Sequence, residues 1–332
     1  MSAWDREPFM RRHHLRASAV ALAATFAIIA PVALAQTAQA PARPAGFQGN
    51  PSNTVKMVPP TPEQQVPKAV ARFAPDRSDD LLWENDRTAH RIYGHVLEAI
   101  EPPSGSGIDA WVKKVRWPFM DRQLKTVTYH NDQGEGMDYY NVKQTRGVGG
   151  LGVWYDNKLW VSRNYRTHEI LKTGGDVASF KVTYAPWPVD VVRKVWEERT
   201  MTLPLGTNFT RVVTTLHSDT NEPLIVGIGL GKNGTVVGNG RLMNDRANGR
   251  MSYWEPNDPA HGQMGTAIMV DPASVVETKA DAENNLILIR VTPGKPFVYY
   301  LGAGWDRGLD FKSREDWEAY VKAQTPNFDP TK

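Results

Sequence analysis

The chain has 332 residues, 39 Lys and Arg against 36 Asp and Glu, and no cysteine. The missing cysteine excludes disulfides, thiolate metal sites, a cysteine nucleophile and a lipidated cysteine anchor. A formal charge of only +3 argues against nucleic acid or an anionic membrane as an obligate partner, since such binders carry a basic patch or stripe.

Residues 1–35 read as a secretory signal peptide. Arg11, Arg12 and Arg16 form the positive region, Ala17 to Pro31 an uncharged apolar run, and Ala33-Leu34-Ala35 a small-residue cleavage signal. The run is shorter than the ~20 residues a membrane-spanning helix needs, so cleavage after Ala35 and a periplasmic or secreted protein with no membrane association are expected. Removing the leader lowers the formal charge to +1. Residues 36–68 hold seven prolines among Ala, Gln and Thr and read as a disordered linker. Residues 69–332 contain no Pro/Gly-rich break and are expected to form a single β-sandwich domain, catalytic or sugar-binding.

The first stretch of that domain runs from Asp79 to Gly94. Arg87, Ala89, Arg91 and Tyr93 alternate with Thr88, His90, Ile92 and Gly94, so a strand places two arginines and a tyrosine on one face. Those arginines meet either a substrate or the nearby Glu84 and Asp86. Glu101 to Gly107 is a loop, Ile108 to Val115 a strand and Leu124 to Tyr129 a shorter one. Asp156-Asn157 joins Gly152–Tyr155 to Lys158–Val161 as a two-residue hairpin turn. Further strands are expected at 178–184, 196–203, 209–216, 224–230, 266–270, 286–291 and 297–301, with turns between them. Ser313 and Asp316 cap one helix, whose Trp317, Tyr320 and Val321 share a face. A dozen strands without alternating helices predict an all-β fold, a large antiparallel β-sandwich with a short C-terminal helix.

Ionisable, aromatic and glycine residues are densest between His130 and Gly150, with His130, Asp132, Glu135, Asp138, Tyr139, Tyr140, Lys143 and Arg146. Many of the eleven tryptophans stand beside charged residues, a mixture suited to sugars, whose C–H faces stack on rings and whose hydroxyls bond to polar side chains. A glycosidase needs two carboxylates roughly 5 Å or roughly 6.5–9.5 Å apart; Glu84, Glu135, Asp138 and Glu255 are candidates. An eliminating lyase needs a cation for the uronate carboxylate together with a base and an acid. Arg91 or Arg146 supplies the first, and His130 with Tyr139 or Tyr140 the second. No cofactor is expected; Asp132, Glu135 and Asp138 are a weaker candidate for Ca²⁺, without an EF-hand pattern.

The runs WENDRTAHRIYG (83–94), SGIDAWVKKVRWP (106–118), YHNDQGEGMDYYNVKQTRGVGGLGVW (129–154), TYAPW (183–187) and SYWEP (252–256) together resemble the bacterial secreted DUF4861 family. The resemblance implies a supersandwich body like that of galactose mutarotases, and a place in the breakdown of uronate-containing polysaccharides, pectin above all. The expected catalytic residues are His130, Tyr140, Arg146 and Glu135. The expected binding residues are Trp83, Glu84, Asn85, Arg87, Arg91, Tyr139, Tyr253, Trp254 and Glu255, with Trp254 a stacking platform. The expected activity is lyase or hydrolase chemistry on uronic-acid-containing oligosaccharides. A non-catalytic carbohydrate-binding protein and a sugar isomerase or mutarotase are the alternatives.

Overall fold

A computed structural model describes residues 56–100, 105–232, 238 and 240–332. The expected signal peptide, most of the expected linker and the start of the expected 101–107 loop lie outside the described residues. Within 56–68 there is one 3-10 turn, Pro62–Gln64, and the side chains are mostly exposed.

Five strands form an antiparallel meander: β1 (Val70–Ala74), β2 (Asp80–Glu84), β3 (Ala89–Ile92), β4 (Ile108–Lys113) and β5 (Gly136–Asp138). Thirteen more make two larger sheets. They are β6 (Val148–Tyr155), β7 (Lys158–Trp160), β8 (Thr167–Lys172), β9 (Val177–Pro188), β10 (Lys194–Pro204), β11 (Phe209–Ser218), β12 (Leu224–Gly231), β13 (Arg241–Asp245), β14 (Arg250–Trp254), β15 (Met264–Val270), β16 (Val275–Ala280), β17 (Asn284–Val291) and β18 (Pro296–Trp305). One sheet has the order β13-β14-β15-β18-β11-β10-β9-β8, the other β16-β17-β12-β6-β7. Ile228 of β12, Ile287 of β17, Val212 of β11, Ile268 of β15 and Ile108 of β4 belong to one apolar core. The fold is thus an antiparallel β-sandwich, with a short C-terminal helix.

The long strands follow directly from sequence. On β10 buried and partly exposed residues alternate from Val195 to Pro204, the period-two pattern of a sheet wetted on one side. The hairpin forms as expected, Tyr155 pairing with Lys158 while Asp156 and Asn157 take φ of 49° and 56°. Helix α1 (Leu97–Ile100) is a single turn. The final helix, Arg314–Ala323, begins at Ser313, whose hydroxyl accepts the Asp316 amide, and buries Trp317 and Val321 against β14 and β15.

Two local readings change. Leu124 to Tyr129 is not a strand: Met120–Leu124 is a short helix, α2, and the Thr126 hydroxyl closes the following turn onto the Gln123 carbonyl. Helix α2 starts where it does because the Glu84 carboxylate accepts the Phe119 and Met120 amides at 3.0–3.1 Å. Arg87 is not on a strand either. The Asn85 side chain accepts the Arg87 and Thr88 amides, which makes a turn before β3 begins.

The meander sheet is covered on both faces. Leu81, Trp83, Ile92, Ala110 and Val112 face the main core. The opposite face carries Asp80, Leu82, Glu84, Arg91, Asp109, Trp111, Lys113 and Asp138, and the segment from Val115 to Tyr129 packs over it through Phe119, Met120 and Leu124. Covering this polar face with apolar side chains takes its charges out of water.

Candidate functional site

Arg91 on β3 stands directly across from Asp109 on β4. The Arg91 Nε and Nη2 donate to Asp109 Oδ2 at 2.9 and 2.7 Å, and the Tyr93 hydroxyl donates to the same oxygen at 3.1 Å. Nη2 also donates to Asp138 Oδ2 at 2.9 Å, and Asp80 Oδ2 lies 3.8 Å from Nη1. Three buried carboxyls therefore surround one guanidinium. Burial pushes Asp80 and Asp109 up to about 7 and Asp138 to about 6, against the opposing pull of Arg91. The mutual repulsion of Asp109 and Asp138 adds to it at Asp109. Arg91, with Arg77 acting on Asp80 and Asp138 from farther off, does not offset the burial of three carboxyls, so the cluster holds exchangeable protons near neutral pH.

His130 is where this cluster meets solvent. Its side chain is 62% exposed, and Nδ1 lies 3.3 Å from the Asp138 carbonyl and 3.7 Å from Asp138 Oδ2. A carbonyl only accepts, so Nδ1 carries the hydrogen in that bond and Nε2 keeps a lone pair. Partial burial holds the imidazole below its ordinary range, the Asp138 carbonyl opposes this, and Arg91 and Arg77 add to the lowering. A neutral imidazole with a free Nε2 is a base at neutral pH. The Tyr129 ring, 4.2 Å away and tilted, supports its inner side.

The expected site residues fall into separate groups. His130 and Arg91 join in this cluster, together with Asp80, Tyr93 and Asp109. Tyr140, Tyr253 and Glu255 form a second group. Glu255 is 1% exposed, burial raises it to about 8, and neither carboxyl oxygen has a hydrogen-bond partner among the described residues. The charge of Glu255 raises Tyr140 and Tyr253 further than burial does alone. Tyr253 also accepts the Gly240 amide at 3.2 Å. Arg146 lies in neither group: buried, it donates to the Ser106 hydroxyl and the Gln144 carbonyl, and burial together with Arg199 lowers it to about 10.

Most of the remaining expected residues are tied up within the chain. Glu135 is ion-paired to Arg122 and accepts from Trp117 Nε1 at 3.2 Å. Trp83 is buried and donates to the Thr210 hydroxyl, and Glu84 takes the α2 amides and Lys113 Nζ. The Asn85 amide nitrogen donates to the Pro204 and Thr207 carbonyls, and Arg87 pairs with Asp310 at 2.8 Å. Tyr139 donates to the Gly262 carbonyl, and Trp254 is buried beside the C-terminal helix, where no sugar can stack on it. The three acids weighed for Ca²⁺ diverge onto three cations: Asp132 to Lys114, Glu135 to Arg122 and Asp138 to Arg91.

Asp80, Tyr93 and Asp109 were not expected in the site. Their signal is a carboxylate at the centre of an apolar strand, Ile108-Asp109-Ala110-Trp111, where a charge is costly unless it meets a partner. A cavity of about 490 Å³ opens at the β1 edge of the same sheet, lined in part by Lys68, Arg72, Arg122 and Lys125. It is not lined by His130, Arg91 or Asp138.

An uncharacterized protein P7 from Formosa agariphila is 33% identical over 270 residues, which cover 76% of this chain and 66% of that protein, just under two thirds of its length. Among solved structures, the GH36 alpha-galactosidase AgaB from Geobacillus stearothermophilus aligns at a TM-score of 0.35 and 12% identity, covering 72% of this chain and 41% of its own. The 4-alpha-glucanotransferase from Thermococcus litoralis aligns at 0.33 and 10% identity, covering 72% and 39%. Scores this low carry no fold or activity across. The sequence itself is decisive, for residues 21–330 match a domain of unknown function, DUF4861, and the chain belongs to that family.

Proposed function

We propose that this chain is an acid–base enzyme acting on uronic-acid-containing oligosaccharides outside the cytoplasm, by lyase or hydrolase chemistry. The observation behind the reading is the Arg91 cluster: carboxyls that titrate between about 6 and 7 are joined, through Asp138, to an exposed and neutral His130. Groups with pKa values displaced in this way cluster at sites of proton transfer. The uronate assignment rests on the family resemblance, and the exported location on the leader.

In this reading His130 Nε2 takes the proton from substrate or water, and Asp138 steadies the imidazole through its backbone carbonyl. Arg91 holds Asp109 and Asp138 in place and is not free to grip a substrate, because both Nε and Nη2 are occupied. Tyr140, Arg146 and Glu135 move out of the proton-transfer role, being buried or ion-paired. Trp83, Trp111, Trp254 and Trp305 are buried and do not serve as stacking platforms, while Trp117 and Trp154 are partly exposed.

The test is to offer oligogalacturonides to the wild type and to His130→Ala, following turnover and binding separately. Loss of kcat by about 10²–10⁴ with binding kept is the expected result for a general base. A product with a new C4=C5 double bond identifies a lyase, and new reducing ends without it a hydrolase. A wild type that binds these sugars and never converts them overturns the enzyme reading.

A further inference from the structure

Arg77 differs from its neighbours. Six arginines lie on the chain from β1 through α2, and five of them have a carboxylate within 4 Å: Arg72 with Asp76 and Asp121, Arg87 and Arg116 with Asp310, Arg91 with its three acids, and Arg122 with Glu135. Arg77 has no ion pair among the described residues. Asp80 and Asp138 feel its charge from beyond ion-pair distance, and a half-buried guanidinium with no carboxylate in contact is an arrangement that a ligand anion stabilises.

Its position is fixed. Nη2 donates to the Tyr129 hydroxyl at 3.0 Å, and the guanidinium lies over the Tyr129 ring, 5.0 Å from its centre. That ring stacks in parallel on the buried Trp111, 6.0 Å away. Its other contact is with the His130 imidazole. Nε is enclosed, which leaves Nη1 as the terminal nitrogen neither bonded nor buried. The backbone just after Arg77 is held in an unusual form, with Ser78 and Asp79 at φ 59° and 64°. Left-handed pairs without glycine cost energy and persist only when their surroundings enforce them. Here the Tyr165 hydroxyl donates to the Asp79 carbonyl, and Gly94 leaves room for that carbonyl to sit against it.

We propose that Arg77 binds the carboxylate of the substrate's uronic residue through Nη1 and holds that sugar against His130. This rests on the uronate reading above and supplies what that reading lacks, since Arg91 is consumed by the chain's own acids. A carboxylate seated there neutralises the cation next to the imidazole. For elimination it also places the carbon alpha to the carboxylate beside the base.

Binding of oligogalacturonate and of its fully methyl-esterified form would be measured by calorimetry on the wild type, Arg77→Gln and Tyr129→Phe, with the His130 imidazole followed by NMR. The wild type should prefer the free acid by about tenfold or more, as expected for a charge-assisted pair. Arg77→Gln should abolish that preference while leaving ester binding intact. Tyr129→Phe, which unties the guanidinium, should weaken the preference several-fold. The groups that face His130 are Asp138, Asp109, Arg91 and Arg77. Acid binding should therefore raise the His130 pKa in the wild type and leave it unmoved in Arg77→Gln. Equal binding of acid and ester by the wild type, or an acid preference that survives in Arg77→Gln, overturns the proposal even if turnover is seen. Arg77-dependent binding without turnover supports it and overturns the enzyme reading instead.

Discussion

The meander sheet and the eight-stranded sheet each bury an arginine on a strand, and the two are neutralised in different ways. On β10, Arg199 meets Glu197 two residues earlier on the same face, in a two-pronged pair at 2.7 and 3.0 Å. The Thr214 hydroxyl donates to the same carboxylate, and the guanidinium lies 4.9 Å from the Tyr184 ring centre. One charge meets one charge and every carboxylate oxygen is bonded. Around Arg91, by contrast, three acids crowd one cation, with Arg77 acting on Asp80 and Asp138 from farther off, and Asp109 and Asp138 each keep an oxygen without a hydrogen-bond partner among the described residues. The unbalanced cluster holds exchangeable protons near neutral pH and reaches solvent through His130. A buried ion pair is therefore weak evidence of function, while a buried excess of one charge is stronger.

Removing the cation should break the comparison most visibly. Arg91→Met leaves three buried carboxyls without their counter-ion, and a loss of about 3–5 kcal/mol is expected from breaking a buried pair on one side. The loss should be greater at pH 8 than at pH 5, because at the lower pH the stranded acids are protonated. Denaturant melts at the two pH values check this. An equal loss at both means that the acids are not the groups that suffer.

A smaller effect follows from the acids. The folded-state pKa of Asp109, about 7, lies above its ordinary 3.8. Between those values the folded state binds more protons than the unfolded one, so this group's contribution to stability is fully present below about pH 4 and is lost as pH rises through 7. His90, buried and lowered to about 3, acts in the opposite direction between about 3 and 6.5. The difference between the wild type and Asp109→Asn removes that background. Asparagine keeps an acceptor for Arg91 and Tyr93, so the variant should gain steadily on the wild type between pH 4 and pH 7. A constant difference across that range would show that Asp109 titrates normally.

What the sequence made legible follows the exposure of each strand. β10 and β11, wetted on one face, show period-two alternation, and the Asp156-Asn157 turn announces its own geometry. β2, buried on both faces, leaves no such pattern, and on β3, equally buried, the alternation read from Arg87 to Gly94 is realised only over Ala89 to Ile92. Leu124 to Tyr129 has β-branched residues and looks like a strand, but the start of α2 is set by Glu84, 35 residues before Phe119, a contact no local window contains. In the candidate site, His130 stood out through the density of ionisable groups around it, and Arg91 through the alternation that put two arginines on one strand face. Asp109 did not, because its burial depends on the Val115–Tyr129 segment folding back over it. Glu84, Asn85 and Trp83 matched the composition of a sugar cleft while serving as caps, turn and core, since composition does not tell which way a polar atom points.

The smallest expected effect concerns the balanced pair. Replacing Glu197 by Leu and Arg199 by Met together removes both charges at once and leaves no ion stranded, so stability should shift by no more than about 1–2 kcal/mol in either direction. Thr214 loses one acceptor but keeps the Glu198 carbonyl at 3.1 Å, which limits the polar cost. Arg146, lowered by burial and then by Arg199, should regain part of its basicity in the double variant. The single change Glu197→Leu is the control. It leaves Arg199 charged and buried with no acid, and it should cost more than the double change does. If the double variant is instead as damaged as Arg91→Met, the sandwich pair is no passive scaffold, and the contrast between the two sheets fails.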